Sequence, residues 1–164
     1  MNKMIEFNGE VNGAGKKFLI KDQILSQLLA NSIVSAILLT PTLIFGGFNS
    51  KISYVVMIFC GIFILFSALP TKSVVSVILP QRIVVDLEER TIINQLKNRE
   101  VFGMIDSVKL VEDYGEFYNI KFFFGDRVPY CICQKSLLTS GTLEDFEALF
   151  DGKMIKKQMR RRKK

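Results

Sequence analysis

The sequence predicts an α+β membrane protein, in which a two-helix transmembrane hairpin adjoins a small antiparallel β-sheet or open barrel closed by a C-terminal helix. Three observations lead to this prediction. Two long stretches, Gln23–Ser50 and Ile52–Thr71, contain no charged residue. The chain after them alternates between apolar and polar residues, which is typical of half-buried strands. One segment with helical spacing, Thr142–Phe150, follows the strands.

The first predicted element is a short strand in residues 1–17. Its apolar residues Ile5, Phe7 and Val11 alternate with polar ones. Residues 12–17 are predicted to form a turn, because they are rich in glycine and asparagine. Gly15 and Lys16 do not form a phosphate-binding loop, since the first glycine of that motif would fall at Glu10.

Residues 18–71 are predicted to form the transmembrane hairpin, with spans at about 24–45 and 52–70. An uncharged run of about 18 or more residues is long enough to cross roughly 30 Å of hydrocarbon as a helix. Residues 45–51, which connect the two spans, are so few that the chain must turn back tightly between them. Pro41 predicts a kink or an early helix end near the far interface.

Small residues at regular spacing predict how the two spans pack. Such residues let neighbouring helices approach closely. They are Ser32, Ala36 and Thr40 in the first span, and Gly61 and Ala68 in the second.

Two polar residues of the first span, Asn31 and Ser35, are predicted to add hydrogen bonds between the helices. A transport path through the spans is the alternative interpretation. Carriers and proton relays usually need ionisable groups at depth, and both predicted spans lack them.

The distribution of cations predicts the orientation. Four lysines precede the hairpin, and Lys72 and Arg82 follow it, whereas the connecting loop contains only Lys51. By the positive-inside rule, both termini are therefore expected in the cytoplasm.

Residues 72–152 are predicted to form the cytosolic β domain. Residues 73–79 form either an emerging strand or a linker lying on the membrane. A β-hairpin follows, in which Ile83, Val85 and Leu87 share one face and Thr91–Leu96 returns after a turn at 88–90. A short piece at 101–104 leads to a strand at 106–113, with Val108 and Leu110 facing inward.

The last strands and the helix complete this domain. Phe117–Phe124 is predicted to place Tyr118, Ile120, Phe122 and Phe124 on one side, and a Gly-Asp turn at 125–126 leads to a strand at 128–133. Because Pro129 cannot donate a hydrogen bond to a strand ladder, that strand is expected either to lie at an edge or to begin with a bulge. Thr142 is the predicted N-cap of a helix at 143–151, with Leu143, Phe146, Leu149 and Phe150 as its apolar stripe.

This order of elements resembles the YcxB-like bacterial membrane proteins, which have a pleckstrin-homology-like C-terminal domain. The residues behind the resemblance are Ile83–Leu87 with Thr91–Ile93, Met104–Leu110, and Phe117–Phe124 closed by Thr142–Phe150. The resemblance implies a PH-like sheet and, with it, lipid headgroup binding by cations at the first hairpin tip. Here that tip is acidic, with Asp86, Glu88 and Glu89 beside a single Arg90. Lys97 and Arg99 in the following loop are the alternative candidates for headgroup contact.

Composition argues against an enzyme, a metal site and a cofactor. The chain has no histidine, so nucleophile–histidine pairs and histidine metal sites are excluded. Cys131 and Cys133 supply only two ligands, and residues two apart on one strand do not easily form a disulfide. Reduced thiols in the cytosol fit these residues best. No catalytic residue is predicted.

The net charge of +6 comes from the basic tail, residues 153–164, which contains eight Lys or Arg residues and no acid. The cations expected to contact anionic lipid are Lys156, Lys157, Arg160, Arg161, Arg162, Lys163 and Lys164. A solvated tail that sets topology and solubility is the plainer alternative. Nucleic acid is not an expected partner, because a basic folded face with stacking aromatics is missing.

The predicted function is that of a non-enzymatic binding or scaffolding protein, which presents its β domain to a protein partner at the cytoplasmic face of the membrane. The sheet edge with Pro129 and the strand at 117–124 are the surfaces expected to contact the partner. The alternative is an accessory subunit of a membrane complex, recognised through Ser32, Ala36 and Thr40. Sequence does not set the oligomeric state.

Overall fold

The computed structural model describes residues 4–46, 51–67, 72–97, 99–123 and 131–158. The chain forms two compact units. The β unit comprises Met1–Leu19 with Ser76–Lys164, and the helical unit comprises Ile20–Val75. Residues from before and after the apolar stretch therefore belong to one folded unit, and the chain is an α+β protein.

The described elements follow one another along the chain as four α-helices and nine strands. They are β1 (Met4–Glu10), α1 (Gly13–Gly46), α2 (Lys51–Ser67), α3 (Lys72–Ile78), β2 (Pro80–Asp86), β3 (Thr91–Leu96), β4 (Arg99–Met104), β5 (Val108–Asp113), β6 (Phe117–Phe122), β7 (Ile132–Gln134), β8 (Leu138–Ser140), α4 (Leu143–Leu149) and β9 (Met154–Lys156).

Five strands form an antiparallel sheet in the order β4-β3-β2-β1-β8. The N-terminal strand lies inside it, where Ile5 pairs with Val85 and Phe7 with Ile83. The alternation in β1, β2 and β3 is observed as predicted, since Ile83, Val85 and Ile92 are all buried. A tight turn at residues 87–90 joins β2 to β3.

The other four strands form a mixed sheet in the order β7-β6-β5-β9. The pairs β5–β6 and β6–β7 are antiparallel, whereas β9 runs parallel to β5. Tyr118 and Ile120 are buried on one side of β6, as predicted. Phe124, the predicted turn at 125–126 and Pro129 lie outside the described residues.

The two sheets and α4 share one hydrophobic core. Its members are buried because strands from both sheets direct alternate side chains inward. They are Ile5, Phe7, Ile83, Val85, Ile92, Ile105, Val108, Val111, Tyr118, Ile120, Cys131, Cys133, Phe146 and Phe150.

The C-terminal helix begins where the sequence predicts it. The Thr142 hydroxyl accepts a hydrogen bond from the Asp145 amide at 3.0 Å, which satisfies one of the free donors of the first turn. Phe146 and Phe150 are fully buried, and Leu143 and Leu149 pack against the core. The predicted apolar stripe is confirmed.

Two predicted connections are helical instead. The turn expected at 12–17 is the beginning of α1, where the Lys16 amide donates to the Asn12 carbonyl. Residues 72–78 form α3 rather than a strand or a linker, because a helix satisfies its backbone groups locally and needs no partner strand. The helix α1 also continues through Pro41 to Gly46.

Two predictions about strands are wrong in detail. Val108 and Val111 are buried whereas Leu110 is half-buried, because an irregularity between Val108 and Leu110 shifts the register with β6. Residues 154–156, which the sequence assigns to the basic tail, form the strand β9. The Val111 amide donates to the Lys153 carbonyl at 2.9 Å, next to this strand.

One described helix is long and apolar enough to cross a membrane. This segment, Gly13–Thr40, has 28 residues and belongs to α1. The apolar part of α2, Ser53–Ile64, is shorter than the length required, so the described residues do not show the second span. Residues 47–50 and 68–71 lie outside the description.

Candidate functional site

The outer face of the four-stranded sheet, opposite the core, holds the first turns of α1. The Phe18 ring lies 5.1 Å from the Tyr114 ring and 5.4 Å from the Phe117 ring, centroid to centroid. Tyr114 and Phe117 stack at 4.9 Å. Leu19 is 1% exposed. The helix that continues into the apolar segment thus starts from an aromatic contact with the β unit.

A pair of amide side chains fixes the residue before α1. The Gln134 side-chain oxygen accepts from the Asn12 backbone amide at 2.9 Å, and its nitrogen donates to the Asn12 side-chain oxygen at 2.7 Å. Gly15 allows close packing here, because a Cβ would lie 2.8 Å from Cγ1 of Val11 and 3.5 Å from Oε1 of Gln134. The helix start is therefore joined to β7 by hydrogen bonds and by close packing.

A buried carboxylate, Glu112 on β5, lies on the same outer face. Its side chain is 1% exposed and forms ion pairs with Lys121 at 3.0 Å and with Lys157. The Asn119 amide donates to it at 3.0 Å, and the Tyr114 hydroxyl at 3.1 Å. Four donors from three parts of the sequence converge on one carboxyl group, as a buried charge requires.

These donors determine the pKa of Glu112. Burial alone would raise the pKa, because it disfavours the charged form. Hydrogen bonds from Lys157, Lys121 and Asn119 outweigh burial and lower the pKa from 4.5 to about 2. Glu112 is therefore ionised at neutral pH and holds both ammonium groups.

The Glu112 cluster fixes the root of the basic tail. The Lys157 amide donates to the Asp113 carbonyl at 2.7 Å, and its ammonium pairs with Glu112. Because Tyr114 contacts both Glu112 and Phe18, a continuous series of contacts joins the tail root to the start of α1. We call this series, Lys157–Glu112–Tyr114–Phe18, the anchor chain.

In the helical unit, burial is reversed relative to a water-soluble core. The buried side chains described there are polar or small, namely Asn31, Ser35, Ser53 and Cys60. Many large apolar side chains are exposed there instead, among them Leu29, Ile33, Ile37, Val55, Ile58, Phe59 and Phe66. Water does not favour this arrangement, whereas hydrocarbon solvates the apolar side chains and leaves the polar ones inside.

The predicted helix-packing residues are not on the buried side. Ser32, Ala36 and Thr40 are exposed, one position away from the buried Asn31 and Ser35. Gly61 has no atom within 4 Å of the position of a Cβ. Ala68 lies outside the described residues. The four of these residues that the structure describes are all exposed.

The predicted lipid-contact residues fall into three groups. Lys156 is exposed, as lipid contact requires. The interpretation of Lys157 is revised, because its charge is already paired with Glu112. Arg160, Arg161, Arg162, Lys163 and Lys164 lie outside the described residues.

The groups considered for chemistry have structural roles. Asp86 accepts hydrogen bonds from the amides of Glu88 and Glu89 at 2.9 and 3.0 Å, which stabilises the hairpin turn. Cys131 and Cys133 are free thiols in the core, and burial raises the pKa of Cys133. Among the described residues, no group of three metal-binding side chains occurs.

Sequence reasoning missed Glu112 and Phe18 as site residues. The segment Glu112–Asn119 contains polar residues at strand positions, which usually indicates a solvated face. One signal was present: Phe117 on β6 and Ile132 on β7 are apolar residues at outward positions, so another element was needed to cover this face. Comparisons with protein-family models, curated proteins and solved structures find no match for this chain.

Proposed function

We propose that this chain is a non-enzymatic, membrane-anchored binding or scaffolding protein, whose β unit is held at the cytoplasmic face of a membrane. The single observation behind this proposal is the continuity of α1. Its first turns pack on the β unit through Phe18, and the same helix continues through an apolar segment with exposed Leu and Ile side chains.

In this proposal the apolar stretch crosses the bilayer twice. The described part of α2 has 17 residues, which corresponds to about 25 Å of helix and is at the lower end of what spans hydrocarbon. Its exposed side chains, including Phe59, Ile62 and Phe66, are those that lipid would solvate. Both ends of the chain then lie on the cytoplasmic side, together with Lys16, Lys17 and Lys21 in the first turns of α1.

A PH-like relationship remains part of the proposal. Three features support it: the meander of β2, β3 and β4 beside β1, the meander of β5, β6 and β7, and the capped helix α4 after β8. Such a domain offers sheet edges to a protein partner. The edge strand β7 belongs to the surface for which we predict this role.

The topology is tested by cysteine accessibility in intact cells. Single cysteines replace Asn8, Lys51 or Gln158, all of which are exposed, and a membrane-impermeant maleimide is added from outside. The expected result is that only Lys51→Cys reacts in intact cells, and that all three react after permeabilisation. The native cysteines provide a low background because all are buried. Labelling of the Asn8 or Gln158 variant from outside would refute the orientation.

The tail gives a second prediction. A fluorophore on Gln158→Cys should be quenched by a headgroup-attached quencher in vesicles with anionic lipid, since each nearby cation contributes on the order of 1 kcal/mol. Quenching should fall at roughly 0.5 M salt, because the Debye length then shortens to about 4 Å. A matched variant with Arg160, Arg161 and Arg162 changed to Gln should lose most of it. Equal quenching in zwitterionic vesicles would contradict lipid-charge contact.

The exposed stripe Ser32, Ala36 and Thr40 supports an alternative function. Small residues on the outer side of a membrane helix allow a helix of another protein to approach closely. The chain would then be an accessory subunit recognised through its spans rather than through the β unit.

A further inference from the structure

Among the described strands, β4 lies at an edge of the five-stranded sheet. It pairs with β3 on one side and is the last strand in the sheet order. Phe102 is 64% exposed and Met104 is 43% exposed on its outer face. An edge with large exposed apolar side chains is a template for pairing with another strand.

The hydrogen-bond pattern shows which groups of β4 are available. The Ile105 amide donates to the Arg90 carbonyl at 2.9 Å, which makes this a hydrogen-bonded pair in the β3–β4 register. Bonded pairs alternate along an antiparallel ladder. Gly103 and Val101 therefore point their backbone groups toward β3, whereas those of Glu100, Phe102 and Met104 point away from it.

The three residues whose backbone groups point away from β3 also have exposed side chains. This set of residues is self-complementary, so β4 of one copy can pair with β4 of another. If two copies of β4 pair antiparallel about Phe102, then Phe102 meets Phe102 of the second copy, and Glu100 meets Met104. This is the register in which all three outward residues form hydrogen-bonded pairs. Opposed aromatic side chains are among the favourable cross-strand pairs.

Charge favours the same arrangement. In this register the exposed cations Lys97 and Arg99 at one end of β4 approach the other end of β4 in the second copy, where a 3-10 turn at residues 105–107 contains Asp106. The Asp106 side chain is 67% exposed although it pairs with Arg90. The basic end of each strand thus meets the acidic end of the other.

We propose that the chain forms a two-fold dimer by antiparallel pairing of β4 with β4 of a second copy, centred on Phe102. The two five-stranded sheets then continue as one. This dimer does not depend on the proposed function, since it requires neither a lipid nor another protein.

The register is tested by disulfide formation in the full-length chain in mild detergent. Paired Cα atoms would lie about 5.5 Å apart at Phe102, a separation that a disulfide accepts. Phe102→Cys should therefore cross-link roughly a hundredfold faster than Asn8→Cys, an exposed position on an inner strand. A mixture of Glu100→Cys and Met104→Cys should also cross-link, whereas each of these variants alone should not.

Molar mass by light scattering provides the second measurement. The wild type should be dimeric, and Phe102→Lys should weaken the dimer roughly tenfold or more by placing like charges opposite each other, with an unchanged circular dichroism spectrum. A monomeric wild type would overturn the proposal, also where Phe102→Lys removes a different bound protein. Equal cross-linking rates of Phe102→Cys and Asn8→Cys would overturn it as well. So would a Glu100→Cys variant that cross-links alone as fast as its mixture with Met104→Cys.

Discussion

Replacing Phe146 by alanine is expected to lower the free energy of unfolding of the β unit by about 3–5 kcal/mol. Phe146 is fully buried and contacts aromatic rings on both sheets and on its own helix. Its ring centroid lies 4.8 Å from Tyr118, 5.4 Å from Phe7 and 5.0 Å from Phe150. The truncation removes all three contacts and leaves a cavity that this close packing cannot collapse to fill.

The core thiols give a direct measurement of this loss. Cys131 and Cys133 are at most 1% exposed, so they react with a thiol reagent only after the core opens. Their labelling rate, measured by mass spectrometry, should rise roughly 10²- to 10⁴-fold in Phe146→Ala. Leu149→Ala, a half-buried position on the same helix, should change it by less than about tenfold. Equal rates in both variants would show that Phe146 does not close the core.

The parts of the fold that sequence predicted are those determined by neighbouring residues. Alternation of Ile83 and Val85 with polar residues identifies a strand and its inward face without further information. Thr142 followed by Asp145 likewise identifies a helix start from four residues. These signals are local, so long-range packing did not change their outcome.

The parts that sequence missed depend on residues far apart in the chain. Asn12 is held by Gln134, 122 positions later, and this contact fixes the start of α1 where glycine and asparagine indicated a turn. The strand β9 at Met154 forms because it pairs in parallel with β5. A parallel pair is not joined by a hairpin turn, so no turn signal in the sequence predicts it. Composition alone identified the basic tail but not where it attaches.

In the candidate site, the anchor chain likewise depends on residues that are far apart in the sequence. Phe18 belongs to a helix, Tyr114 to a turn, Glu112 to a strand and Lys157 to the tail root, and none of them has an unusual sequence environment. Only the folded outer face of the four-stranded sheet brings them together. Their role follows from geometry, because each one contacts the next.

Replacing Glu112 by glutamine is expected to destabilise the β unit by on the order of 3 kcal/mol at pH 7. The lowered pKa of about 2, compared with 4.5 for an unperturbed glutamate, measures how strongly the fold prefers the ionised form. Glutamine has nearly the same shape but no charge, so Lys121 and Lys157 lose their common partner. Breaking a buried pair by removing one member is costly for this reason.

The dependence of this effect on pH follows from the direction of the pKa shift. Since the folded pKa lies below the unfolded one, the stabilisation by Glu112 is fully present above about pH 4.5 and is lost as the pH falls toward 2. The difference between wild type and Glu112→Gln should therefore shrink over this window. This difference is measured by unfolding both proteins in detergent and monitoring the unfolding through the labelling of Cys131 and Cys133. The contributions of the other carboxylates cancel, because both proteins contain them.

A matched control separates this cluster from ordinary surface charge. Glu6 forms an ion pair with Arg82 at 2.7 Å, but the Arg82 side chain is 50% exposed. Glu6→Gln should therefore cost about 1 kcal/mol or less. The two variants should also differ in location, because loss of Glu112 releases Lys157 and should speed amide exchange in β9 while leaving β1 unchanged. If Glu112→Gln left β9 protected and its stability cost did not vary with pH, the carboxylate would not be what attaches the tail root to the sheet.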